Sequence, residues 1–301
     1  MKKRKALVPA LAVATALSLS CAVLGTGAAA GTLPGRAEVK QGVSVYANDK
    51  GEVDASNLAE GYLFLRYTGG KNVRIKAQII KEGGVTYTYD LNNAGQRETY
   101  PLTEGNGNYT VKILENTTGN RYAQAYVCTL ELTLRDPMAP FLYSNQFVNY
   151  TADSATAAKA AQLTGGVEGT VGKVAAVFDY VVDHFTYDSA QAATVQSGYL
   201  PNVDQVLAEQ KGICFDYAAV MTAMLRSQGI PCKLVVGYAG TIYHAWISAY
   251  SEKDGWMEGI IYFDGVNWTM MDPTFTSSGK RSKPILDYVT NPSNYQQKYA
   301  Y

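Results

Sequence analysis

Four residues in the second half of the chain have the chemistry for covalent work: Cys214, His184, His244 and Asp272. A thiolate attacks a carbonyl carbon, an imidazole moves protons near neutral pH, and a carboxylate holds the imidazole in one orientation. Cys214 stands in "GICFDYAAVMTAMLRSQGIP", residues 212–231, just after a glycine and at the head of an apolar stretch. Cys214, Ala218, Met221 and Leu225 are spaced i, i+4, i+7 and i+11. That spacing predicts a helix with Cys214 in its first turn, on the buried stripe, ending at Gly229 ahead of Pro231. Two readings of the thiol follow. It is a small residue packed on a helix face, or it is a nucleophile, because first-turn N–H groups and the positive end of the helix dipole favour a thiolate.

The chain holds two histidines. His184 falls late in a helical stretch before "FTYD", beside an apolar stripe, and reads as structural or solvent-facing. His244 opens the strand-like run "HAWISAY", across the turn "GYAGTIY" from the run that follows the cysteine helix. Asp272 closes "WTMMDPTF", where Pro273 stops strand pairing. A residue opening one strand and a residue closing its antiparallel neighbour lie side by side, so Asp272 is expected to face His244. Nucleophile at a helix start, base on a strand and carboxylate on the next make a triad arrangement.

The elements that must position these groups come in two textures. From about Val43 to Arg135, short β-type runs alternate with turns: "GYLFLRYTGG", "VRIKAQIIKEGG", "VTYTYDLNNAG", "NYTVKILENTTGN" and "RYAQAYVCTLELTLRD". Apolar and polar residues exchange with period two in "RIKAQI" and "TVKILE", as half-buried strands require. An antiparallel β-sandwich is expected. Its many tyrosines either suit strands or form a binding face. After Asp136-Pro137 helices take over. "SATAAKAAQLTGG" ends at Gly165-Gly166, and "VGKVAAVFDYVVDHFTYD" places Val171, Val174, Phe178, Val181 and Phe185 on one stripe. "QSGYLPNVDQVLAEQK" reads as a loop with one helical turn. The β-type runs "CKLVVGYAG", "YHAWISAYS", "IIYFDG" and "NWTMMDPTF" follow the cysteine helix. The fold class is therefore α+β, with helices before an antiparallel sheet in the second part.

Composition sets the compartment. Lys2, Lys3, Arg4 and Lys5 precede the apolar run "ALVPALAVATALSLSCAVLG" and the small residues Gly27 to Ala30, the pattern of an export signal cut after Ala30. The alternative is a lipid anchor on Cys21, after an imperfect lipobox Ser18-Leu19-Ser20. Without the n-region, the 26 basic residues fall to 22 against 26 acidic, a net charge of about −4. That balance argues against nucleic-acid binding. Cys128, Cys214 and Cys232 then remain. Three is odd, so at least one thiol stays free of intramolecular pairing. Cys128 and Cys232 are expected to be reduced and buried, with an interdomain disulfide as the alternative.

"KGICFDYAAVMTAMLRSQGIPCKLVVGY", "HAW" and "WTMMDPTF", with the approaches "VFDYVVDHFTYD" and "YLPNVDQVLAEQKG", resemble the transglutaminase-like superfamily of papain-like folds over roughly residues 140–280. The resemblance implies Cys214 as nucleophile, His244 as general base and Asp272 as its orienting residue. With the signal and strand readings above, it gives the expected domain plan: export signal 1–30, β-sandwich 31–139, and a transglutaminase-like α+β domain 140–301. The implied activity is a secreted cysteine-dependent peptidase, amidase or transamidase working through a thioester on Cys214. The substrate would be a protein or peptide, with cell-wall or surface proteins as candidates. A non-catalytic surface-binding scaffold is the other function class. No cofactor and no metal is expected, since the acidic residues are scattered and no C-x-x-C pair exists. For the oxyanion, the Cys214 backbone N–H needs a second donor, for which Gln210 and Trp246 are candidates. The stretch "SEKDGWMEGIIYFDG" departs from the family pattern, and its Trp256 and Met257 either lip the cleft or cap the core.

Overall fold

The structure, a computed structural model, describes residues 33–257, 261–263, 268–270 and 292–301. The first part is built from β1 (Val45–Ala47), β2 (Gly51–Asp54), β3 (Tyr62–Tyr67), β4 (Ile75–Lys81), β5 (Thr86–Leu91), β6 (Glu98–Pro101), β7 (Gly107–Thr118) and β8 (Arg121–Leu132). They form two four-stranded antiparallel sheets, β1-β2-β3-β6 and β5-β4-β7-β8. The period-two pattern does what it should: Ile75, Ala77 and Ile79 are buried while Lys76 and Gln78 are half-exposed. Opposite them Val111 and Ile113 face the same core, with Ala77 paired to Ile113 and Ile79 to Val111. Tyr87, Tyr89, Tyr100 and Tyr109 are all buried. Most of the sandwich tyrosines named above are thus core, though Tyr89 has a second role described below.

Helices α1 (Ala155–Thr164) and α2 (Gly169–His184) come next, and Val174, Phe178, Val181 and Phe185 are buried as their spacing predicts. The stretch 196–211, expected as a loop with one helical turn, holds a seven-residue helix, and a short strand and helix precede it. Strand β9 (Thr186–Tyr187) leads into α3 (Ser189–Thr194), and α4 (Val203–Glu209) leads into β10 (Lys211–Gly212), parallel to β9. Caps explain both short helices. Asp188 accepts the Ala190 and Gln191 N–H groups (3.1 and 3.0 Å), and Asn202 accepts that of Gln205 (3.1 Å).

Helix α5 (Cys214–Ser227) begins at the predicted cysteine and stops before Gly229, whose φ of 75° is the left-handed turn expected there. It is not amphipathic: every residue from Asp216 to Ser227 is buried. The sheet β13-β12-β11-β16 packs on it, formed by β11 (Cys232–Ala239), β12 (Ile242–Ser251), β13 (Gly255–Met257) and β16 (Tyr295–Ala300). Arg226, fully buried, donates to the carbonyls of Tyr143 (2.6 Å), Cys232 (2.8 Å) and Tyr301 (2.6 Å). One contiguous buried cluster runs from Val53 through α5 to Tyr301. Among the described residues no helix is long and apolar enough to cross a membrane.

One sheet neighbour differs from expectation. Strands β14 (Ile261–Phe263) and β15 (Trp268–Met270) pair with each other in a separate two-stranded sheet, whereas β12 pairs with β11 and β13. The chain turns back directly after Ser251, and β13 pairs with β12 at Ala249–Ser251, away from His244. Asp272 itself lies outside the described residues.

Candidate functional site

Cys214 is the first residue of α5, half-buried and unpaired; Cys128 and Cys232 are unpaired as well. Its place is set by a dense local arrangement. Three residues on, the Asp216 carboxylate accepts the Ile213 N–H (2.9 Å), closing the first turn as the acidic half of a capping box. The same carboxylate accepts the Tyr199 hydroxyl (2.7 Å) and the Gln191 side-chain amide (3.1 Å). Asp216 is fully buried, and burial pushes its pKa up from the usual carboxylate range. Gly212 makes room for it, since a Cβ there would lie 2.6 Å from the Asp216 Cβ.

Asp216 thus ties α5 to the 189–200 segment. Lys211 adds an ion pair to Asp188 (2.8 Å), and the Asp188 N–H donates to the Gly212 carbonyl (2.8 Å). The sequence analysis passed over Asp216, although an acid at the third helical position after a glycine is a visible capping signal. Tyr199 and Gln191 carried no such signal, because their role exists only through the tertiary contact.

His244 lies on β12 opposite Gly237 of β11 and is buried. Its ring lies roughly parallel to that of Trp246, 6.3 Å away. Cys214 and His244 line one cavity of about 430 Å³, within the range of small-molecule and peptide sites. The β-sandwich supplies a wall through Lys76, Thr88, Tyr89 and Asp90. Aromatic rings connect that wall to the nucleophile helix. Tyr89 meets Phe147 (5.7 Å) and Tyr301 (5.8 Å), and Phe147 meets Phe215 (5.6 Å), the residue after Cys214.

The other sequence candidates go elsewhere. His184 ends α2, exposed, with Nδ1 2.9 Å from the Tyr180 carbonyl oxygen and its ring stacked on Tyr180, the structural role expected of it. The side-chain amide of Gln210 donates to the Tyr180 hydroxyl (3.2 Å), and neither Gln210 nor Trp246 lines the cavity. Trp246 is instead packed over Gly237 and against Tyr295. Trp256 packs against Phe141 (5.0 Å) and Tyr250 (5.4 Å) under the Lys233 ammonium, and Met257 is buried; both cap the core and leave the cleft alone.

Residues 157–259, from α1 to just past β13, match the family described as the transglutaminase-like superfamily. The uncharacterized protein YebA of Bacillus subtilis (strain 168) is 33% identical over 118 residues, a stretch covering 33% of this chain and 16% of that relative. Among solved structures, a candidate cysteine protease from Cytophaga hutchinsonii is 18% identical with a TM-score of 0.41, covering 86% of this chain and 73% of its own. The periplasmic domain of TgpA from Pseudomonas aeruginosa, bound to ethylmercury, is 17% identical with a TM-score of 0.35, covering 81% and 80%.

Proposed function

We propose that the protein is an exported cysteine-dependent amidase or acyltransferase acting on protein or peptide amides. The observation that carries this reading is the placement of Cys214 at the first turn of α5, in one cavity with His244. The Cys214 sulfur attacks the carbonyl carbon, and the Cys214 backbone N–H helps hold the oxyanion. As the tetrahedral species collapses, the C–N bond breaks and the His244 imidazolium gives its proton to the leaving amine. A thioester remains. Water or a primary amine then attacks it, His244 takes the proton of that nucleophile, and the thiolate departs. Asp272 holds His244 in the required orientation and stabilises its cation. The β-sandwich, residues 31–139, acts as a companion domain that walls the cleft.

The test is a substitution series on the mature chain, read for ammonia release, peptide cleavage and amine incorporation. Cys214→Ala is expected to abolish turnover, and His244→Ala to do nearly as much. Asp272→Asn is expected to cost on the order of 10²–10⁴ in kcat. His184→Ala leaves kcat within a few-fold. Turnover retained in Cys214→Ala sinks the proposal, and equal damage from His184→Ala and His244→Ala in folded protein means the wrong histidine has been chosen.

A further inference from the structure

Exposed apolar side chains gather around the mouth of the cleft. On the 195–200 loop, Val195 and Leu200 are 38% and 42% exposed. At the tip of the β11–β12 hairpin, Tyr238, Ile242 and Tyr243 are 38%, 57% and 56% exposed. Val195, Leu200 and Tyr243 line the cavity that holds Cys214 and His244. Tyr238 meets Tyr243 edge-on at 5.5 Å, and Ile242 is the next residue along the chain. The remaining large apolar residues exposed to this degree, among those described, lie in the N-terminal part between Val39 and Val127. Large apolar groups collected at the rim of a cavity mark a surface that another apolar surface covers.

The charge inside the cavity points the same way. Among the described lining residues its Lys and Asp side chains are Lys76 and Asp90, paired at 2.6 Å, so these two charges offset each other. Aromatic rings line the cavity as well, Tyr89, Phe147, Phe215 and Tyr301 among them, beside the polar side chains of Thr88, Gln146, Gln196 and Ser197. The loop that carries Val195 and Leu200 is anchored through the Tyr199–Asp216 hydrogen bond, so that side of the rim is held in place relative to Cys214.

We propose that the cleft binds a protein or peptide segment whose reacting amide is flanked by large apolar side chains, gripped between the 195–200 loop and the β11–β12 hairpin tip. This rests on the reading of Cys214 as the reacting centre and adds the class of substrate. Binding is measured by calorimetry on Cys214→Ser protein, which does no turnover, so the result is independent of the reaction's outcome. Two blocked glutamine-centred pentapeptides serve as probes, one with leucine and phenylalanine flanks and one with aspartate and lysine flanks.

The apolar peptide is expected to bind at least tenfold more tightly. Leu200→Ser and Tyr243→Ser, each added to Cys214→Ser, should weaken its binding about five- to tenfold. Val127→Ser, on the sandwich surface, should leave it unchanged. Equal affinity for the two peptides, including no measurable binding of either, overturns the proposal. So does a loss in Val127→Ser as large as in the rim variants, or no loss in both rim variants. Iodoacetamide labelling of the wild-type protein separates the two levels. Apolar-selective binding with an unlabelled Cys214 removes the nucleophile and keeps the groove; a labelled Cys214 with unselective binding does the reverse.

Discussion

The three mature thiols sit in different surroundings, and that difference can be read chemically. Burial pushes the Cys128 thiol up to about 11 and the Cys232 thiol up to about 12. At pH 7 a thiol of pKa 11 is thiolate in roughly one molecule in 10⁴, so alkylation at either site is slow. Cys214 is half-buried at a helix start and opens on the cavity. Iodoacetamide at pH 7, followed by peptide mapping, is expected to modify Cys214 first, while Cys128 labelling climbs about tenfold per pH unit between pH 7 and 10. Equal labelling of the three sites at pH 7 would contradict this. The place of Cys214 at a helix start was readable from sequence because glycines and helix ends leave local marks. The residues that hold it were only partly so: Asp216 left a capping signal, whereas Tyr199, Phe147 and Tyr301 reach the site from distant parts of the chain.

Between single residues and the fold stand the short elements around Cys214. Strands β9 and β10 run parallel for two residues each, and each feeds a helix, α3 through Asp188 and α5 through Ile213. Asp216 and Gly212 make that junction. Gly212→Ala would press a methyl group against a carboxylate that has no free space, so a loss of about 1–3 kcal/mol is expected by urea titration. Tyr199→Phe removes one hydroxyl donor and should cost about 1 kcal/mol. It should also raise amide hydrogen exchange across 195–200, and unchanged exchange there would mean that the hydrogen bond does not hold the loop. Helix α3 was not expected and α4 was expected only as one turn, because neither carries an apolar stripe long enough to show a period. Their signals are the caps Asp188 and Asn202, weak without knowledge of what lies beside them. Helix α5 misled in the opposite way. Its i, i+4, i+7 stripe was real, but it has neighbours on every side, and composition ("AAVMTAML") carried that information better than spacing did.

Across the whole chain the buried cluster does not stop at the end of the sandwich. The Thr103 hydroxyl donates to the Ala300 carbonyl (2.7 Å) and the Ala300 N–H to the Tyr87 hydroxyl (3.3 Å). The three tryptophans fall between residues 246 and 268, while the longest strands belong to the sandwich. Urea unfolding followed by tryptophan fluorescence and by far-UV circular dichroism is therefore expected to give coincident transitions; separate midpoints would make the parts before and after residue 139 independent cooperative units. Acid should weaken the molecule in a defined direction. The Arg135 guanidinium, donating twice to Glu60 at 2.7 Å, holds the Glu60 carboxyl below the usual range, and Lys71 does the same for Glu115. A carboxyl whose folded pKa is depressed adds stability that is present above its unfolded value near 4.5 and is lost as pH falls through the folded value. Glu60→Gln should thus cost on the order of 1 kcal/mol at pH 7, Arg135 being half-exposed, and should lose less on acidification than the wild type.

The last strand described, β16, completes the sheet beside β11, and Tyr301 just after it lines the cleft. In synthesis these residues arrive long after Cys214. A nascent chain that already holds Cys214, His244 and the β11–β12 hairpin still lacks Tyr301 in the cavity wall and leaves the β11 edge open to pairing with another chain. Order of emergence thereby becomes a safeguard: the cavity that Cys214 and His244 line is not walled until β16 has been made.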